Sequence, residues 1–96
     1  MENDLANDLI KKYGIPQISL PDFVLDLEAV KMVTKELAMK YVLIPVNKGG
    51  KMLIVAMAEP KDKKAIEHVE FITNLTVEVV QSNKKDVMEA IEKHYG

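Results

Sequence analysis

Tyr41-Val42-Leu43-Ile44-Pro45-Val46, then Asn47-Lys48-Gly49-Gly50, then Lys51-Met52-Leu53-Ile54-Val55-Ala56-Met57-Ala58: these three consecutive stretches decide the fold. The first and third are apolar and rich in branched side chains, the composition of strands buried in a sheet. The middle stretch is turn chemistry, so the three together predict a β-hairpin. Pro45 has no N–H to give a ladder, and the expectation is an outward-facing or bulged position for it.

Downstream, Pro60 and Asp62 mark the start of a helix, and Ala65, Ile66, Val69 and Ile72 recur on one helical stripe. Asn74 tolerates a left-handed backbone and is placed to end that helix. Residues 75–80 read as a third strand with Leu75, Val77 and Val79 on one face. Ser82 or Asn83 caps a last helix that buries Val87, Ala90, Ile91 and either His94 or Tyr95.

Upstream, Asp26 caps a short helix over 27–32 and Thr34 a second over 35–40, with Leu37 and Tyr41 on one side. Residues 17–21 alternate polar and apolar between two prolines, which suits an edge strand or an extended arm. Before them, Leu5, Leu9 and Ile10 fall at helical spacing within residues 4–13. Gly14 sits where a helix C-cap glycine belongs, and Pro16 stops the run.

The predicted class is therefore α/β in the α+β sense: a small three-stranded sheet, made of the hairpin plus one strand from a β-α-β unit, with helices covering one face. Two strand orders are open. The third strand lies beside the first, making the sheet antiparallel, or beside the second, making that pair parallel with a right-handed crossover; the first order is the one expected. Residues 1–14 form an N-terminal helix, read as the remnant of an upstream helical segment, and residues 15–96 form the α/β domain.

Composition narrows the function. The chain has 96 residues and a net charge of −2, and all 13 of its basic residues are lysines. Arginine is the planar, bidentate reader of phosphate and guanine, so its absence, with an acidic balance, argues against nucleic acid. There is no cysteine, hence no disulfide and no thiolate metal site. No apolar run approaches the ~20 residues that span a bilayer. The acidic start MENDLANDLI lacks the basic and apolar regions of a signal peptide. The expected location is the cytoplasm.

Catalytic patterns are missing. Asn47 to Met52 has glycines and lysines but not P-loop spacing, and it joins strand to strand instead of strand to helix. His68 and His94 have no ligand-type residue at i±3 or i±4. Serines occur only at 19 and 82, and Ser82 reads as a cap. The pairs Glu36/Lys40 and Glu89/Lys93 are ordinary i,i+4 surface partners. Lys61-Asp62-Lys63-Lys64 reads as a solvated helix start, and the six methionines as core filling. No cofactor, metal or catalytic group is expected, and the domain is not expected to be an enzyme.

One ordered set of residues carries more than its physics. Ala56-Met57-Ala58-Glu59-Pro60-Lys61-Asp62, Phe71-Ile72-Thr73-Asn74, Val77, Ala90-Ile91 and Tyr95-Gly96 resemble the N-terminal domain of the bacterial type II secretion and type IV pilus assembly ATPases (the general secretory pathway protein E family). Upstream, Tyr13-Gly14-Ile15-Pro16 with Leu20 is similar to the family's Leu-Gly-Ile-Pro segment. The resemblance runs over about residues 5–96. Its motif residues here are Gly14, Pro16, Pro60, Asp62, Phe71, Thr73 and Asn74, with Asn74 standing for the family's Gly.

The resemblance implies a non-catalytic docking or regulatory domain. Its partners would be a cytoplasmic part of an inner-membrane platform protein and the C-terminal ATPase region of the parent, placing it at the inner membrane through a partner. Leu5, Leu9 and Ile10 are the candidate docking residues. The alternative is nucleotide sensing. Some members of the family bind cyclic di-GMP through an Arg-Leu-Gly motif followed by spaced Leu and Gln. Here Leu5 and Leu9 match the tail of that motif, Lys12 replaces the Gln, and the Arg-Leu-Gly head has no counterpart.

Overall fold

Leu43–Gly49 (β1) and Met52–Met57 (β2) pair antiparallel as the expected hairpin. The computed structural model in which they lie describes residues 15–95; the segment 1–14, with Leu5, Leu9, Ile10 and Gly14, is outside the described residues, as is Gly96. The turn is tighter than the sequence suggests. Gly49 pairs with Met52, so only Gly50 and Lys51 form the loop. Gly50 alone is left-handed there, at φ 58°, which fits a type II′ turn with Gly in its first central position. Asn47, Lys48 and Gly49, expected in the turn, are ladder residues instead.

They stay in the ladder because the strand carries a bulge. Pro45 faces Val55 and Asn47 faces Ile54, so Val46 is the extra residue. Pro45 precedes the bulge and is buried, not outward-facing. Its missing N–H is tolerated because β1 is an edge strand. The bulged Val46 turns its carbonyl outward to accept from the backbone N–H of Asp26 at 2.9 Å.

The third strand, Thr76–Gln81 (β3), corrects the expected order. It lies beside β2, parallel to it, in register from Met52↔Thr76 to Met57↔Gln81. Two physical reasons favour this. The outer edge of β1 is already approached by the chain at Asp26. The link between β2 and β3 also contains an 11-residue helix, the kind of crossover a parallel pair requires. Val55 and Met57 on one side of β2 are fully buried, whereas on the other side Ala56 is buried and Met52 is exposed.

Helix ends follow local chemistry. Leu27–Val30 (α1) is capped by Asp26, which accepts from the N–H of Glu28 at 3.0 Å. Lys35–Tyr41 (α2) is capped by Thr34, which accepts from Leu37 at 3.3 Å. Val42 then reverses the chain into β1 in a left-handed conformation at φ 52°, strained for a β-branched residue; its carbonyl accepts from the N–H of Ala58. Lys63–Thr73 (α3) begins at Asp62, whose Oδ1 accepts from the N–H of Ala65 at 3.2 Å. It ends at Asn74, left-handed at φ 57°. In Lys84–Tyr95 (α4) the cap is Asn83, not Ser82: Asn83 accepts from the N–H of Asp86 and donates to its carboxylate, a reciprocal capping pair. Ser82 is buried and donates to the Ile18 carbonyl.

The segment before α1 is an extended arm. Gln17 bridges Gln81 in parallel sense, and Leu20–Asp22 makes one 3-10 turn. The core gathers Leu43, Ile44, Leu53, Val55, Met57, Val69, Val87 and Ile91, all essentially inaccessible. Asp62→Ala removes one cap bond and a charge at the positive end of α3. The expected loss is about 0.5–2 kcal/mol, read as a lower urea midpoint with unchanged m; an unchanged midpoint would show that the cap contributes nothing.

Candidate functional site

Helix α3 distributes the motif residues to two ends of the domain, roughly 16 Å apart for a helix of this length. At its start, Pro60 and Asp62 follow the carboxyl end of β2. The parallel register brings Gln81, the last residue of β3, to the same end. Pro16 joins them there, its carbonyl accepting from the N–H of Gln81 at 2.7 Å. At the far end of α3 stand Phe71, Thr73 and Asn74, beside the start of β3 and the hairpin turn, where the N–H of Thr76 donates to the Lys51 carbonyl.

Thr73 and Asn74 serve the chain's own structure. Thr73 is buried; its hydroxyl donates to the Val69 carbonyl at 2.6 Å and accepts from the N–H of Leu75. Asn74 turns the chain out of the helix. Phe71 does neither and is 87% exposed, with Ile72 beside it at 44%. The expected stripe includes Ile72, but the buried line is Ala65, Val69, Thr73, with Ile72 one position off it.

Three long-range contacts lie outside any local pattern. Glu70 accepts from the N–H of Val77 at 2.9 Å and closes that donor at the sheet's outer strand. His68 Nδ1 is 3.2 Å from the Tyr41 hydroxyl, the rings meeting edge to face, so this half-buried histidine links α3 to α2. The Tyr95 hydroxyl donates to the Val30 carbonyl at 2.7 Å and fastens the end of α4 to α1. Burial pushes the Tyr95 hydroxyl up to about 12.

The described residues line, among other places, two depressions. One, of about 220 Å³, lies between the 3-10 turn and α4, floored by Leu20, Phe23 and Ala90 and rimmed by Asp86, Glu89, Lys93 and His94. The other, about 550 Å³ and wide open, lies between α2 and α3, with Met32, Leu37 and Ile72 inside it and Glu36, Lys40 and His68 around it. Neither sets a nucleophile beside a base. Among the described residues no three His, Cys, Asp or Glu side chains gather to hold a metal ion. Gly49 and Gly50 border open space and make no phosphate cradle. Among the described residues no helix is long and apolar enough to cross a membrane.

Comparison with known proteins places this geometry. The sequence pattern of the MshEN domain matches residues 13–96. The chain belongs to the MshEN domain family. It is 39% identical over 95 residues to the type IV pilus assembly ATPase PilB of Myxococcus xanthus (strain DK1622), covering 99% of this chain and 17% of that protein. It is 28% identical to PilB of Thermus thermophilus, over 98% of this chain and 11% of that protein. The chain thus spans less than a fifth of the length of these relatives. Among solved structures, MshE with c-di-GMP superposes with a TM-score of 0.80 at 24% identity, over 99% of this chain and 69% of that one. The N-terminal domain of XpsE superposes at 0.76 with 22% identity, over 98% and 66%. The resemblance read from the motif residues and the α+β fold with its small sheet are both borne out, and the MshEN sheet is mixed.

The tyrosine anchor of this MshEN domain has a pH signature. A raised pKa in the folded state favours the neutral hydroxyl, so its contribution is complete below pH 10 and is lost as pH rises through about 12. Tyr95→Phe should be less stable by about 1 kcal/mol at neutral pH. That gap should close between pH 10 and 12 in paired urea titrations; a gap independent of pH would mean the hydroxyl is not held as described.

Proposed function

We propose that this MshEN domain is a non-catalytic docking and regulatory module of a bacterial pilus-assembly or type II secretion ATPase. It works in the cytoplasm, held at the inner membrane by binding a cytoplasmic part of a platform protein, and it acts on the ATPase region of its own parent. The observation that carries this reading is the 39% match to a pilus assembly ATPase along 99% of the chain, confined to 17% of that protein. A module of this size without P-loop spacing, embedded in a motor, supplies contacts and not hydrolysis. The candidate docking residues are Leu5, Leu9 and Ile10, an amphipathic set of ~10 residues, too short to be helical alone in water and therefore dependent on something to pack against.

The test is binding of the chain to the purified cytoplasmic part of the platform protein encoded beside its parent. The expected result is saturable binding, with amides of residues 5–13 exchanging hydrogen more slowly in the complex, and weakened binding by Leu9→Ser. Binding that is unaffected by Leu9→Ser and leaves those amides unchanged would move the docking surface elsewhere; no binding would remove the docking reading.

A second reading, nucleotide sensing, is favoured by one observation, that MshE was solved with c-di-GMP. Against it stands the lack of any arginine in this chain, the side chain best suited to a bidentate grip on phosphate. Isothermal titration with c-di-GMP and with ATP is expected to show no dissociation constant below about 10 μM, roughly −7 kcal/mol. Tighter binding of c-di-GMP would establish the sensing role.

A further inference from the structure

We propose that residues 4–13 of this chain pack as a helix into the depression between the 3-10 turn and α4, antiparallel to α4, with Leu5, Leu9 and Ile10 on its apolar floor. This seat lies within the chain and does not depend on the docking reading above; a platform protein that took the same side chains would compete with it.

The depression is a groove with two walls. The arm and α4 start together, where the Ser82 hydroxyl donates to the Ile18 carbonyl. They end together, where the Tyr95 hydroxyl donates to the Val30 carbonyl and fastens α4 to α1. Between these two bonds they run side by side in the same direction, over a floor of Leu20, Phe23, Leu25 and Ala90. Leu20 is buried, but Phe23 is 39% exposed and Leu25 and Ala90 are half-buried, so apolar surface remains open to a further element.

Chain continuity names the occupant. Pro16 holds the N–H of Gln81, three residues before α4 begins at Lys84. Residues 1–14 are therefore joined to the domain at the mouth of the groove, and Gly14 permits the reversal that turns them into it. From Asp86 to His94 α4 rises about 12 Å, and a helix over residues 5–13 has the same length. A helix this short needs a surface to pack on. The tether favours this segment over that of a second copy, because a short link holds it at an effective concentration of about millimolar.

Charge agrees with the direction. The charged lining of the groove is Asp86 and Glu89 near its mouth, then Lys93 and His94; Asp86 keeps its charge while it accepts from the Asn83 amide. Asp8 and Lys12 in the segment repeat the order of Glu89 and Lys93 in α4, an acid followed by a base one turn on. Entry at the mouth imposes the antiparallel order, which sets Lys12 toward Glu89 and Asp8 toward Lys93. A parallel order would oppose like charges.

The chain has no cysteine, so an introduced pair reports the seat. In the full chain, Leu9→Cys with Ala90→Cys should oxidise to a disulfide within one molecule, whereas Leu9→Cys with Lys51→Cys, at the exposed hairpin turn, should not. Lys12→Glu should slow the first disulfide about threefold, and adding Glu89→Lys should restore it. Without any cysteine, Leu9→Ser should keep the folded spectrum and shift the amides of Leu20, Phe23 and Ala90. No disulfide at Ala90 in a folded chain, equal reaction at Lys51, a disulfide formed only between molecules, no rescue by Glu89→Lys, or Leu9→Ser shifts centred outside the groove would each overturn the proposal. No platform protein is present in these measurements, so failure of the docking reading leaves their outcome unchanged.

Discussion

Pairing of β2 on both edges, with Leu53, Val55 and Met57 fully buried on one face, is the constraint on which the rest of the structure depends. Its residues from Leu53 to Met57 lie between β1 and β3, and Leu53, Val55, Ala56 and Met57 are fully removed from water. A strand so placed has no free backbone group to satisfy with solvent, so both neighbours must be in register. The antiparallel neighbour is supplied by a two-residue turn. The parallel one has to be brought back by a helix, and that requirement sets α3 across the domain. The position of α3 in turn decides where the motif residues fall: Pro60 and Asp62 at the carboxyl ends of β2 and β3, Phe71 to Asn74 at the opposite end.

This division separates two kinds of surface. The end with Pro16, Pro60 and Gln81 is where the arm from the N-terminal segment enters, at the carboxyl ends of the parallel strands, the usual side for ligands in such sheets. The other end is formed by a helix stop and a hairpin turn, and it carries the exposed aromatic ring. Tyr41 with His68, and Tyr95 with Val30, tie helices α1 to α4 together in two pairs around the shared core.

What the sequence made legible was what is local. Asp26, Thr34 and Asp62 cap helices through bonds spanning two or three residues, and Asn74 stops one through its own backbone, so each is visible in a short window. The features that a short window hides depend on distance. The bulge at Val46 owes its place to Asp26, which reaches its carbonyl from far upstream. The strand order depends on which edge of the hairpin is already occupied. Ser82 reads as a cap but serves Ile18, distant in sequence. The exposure of Phe71 is hidden because an aromatic residue next to a helical stripe reads as core, and only the packed helix shows the stripe passing through Thr73. Membership of the MshEN family was legible because the motif residues are ordered along the chain, and order survives where pairwise contacts cannot be read. The docking candidates Leu5, Leu9 and Ile10 remain a proposal.

The claim that β2 organises the domain is tested most directly by native-state hydrogen exchange on the free chain. The account predicts that the amides of Leu53 to Met57 are the slowest to exchange and open only with global unfolding, the outer strands and helix ends opening at lower free energy. Exchange of β2 amides faster than those of α4 or β1, through a local opening, would contradict it.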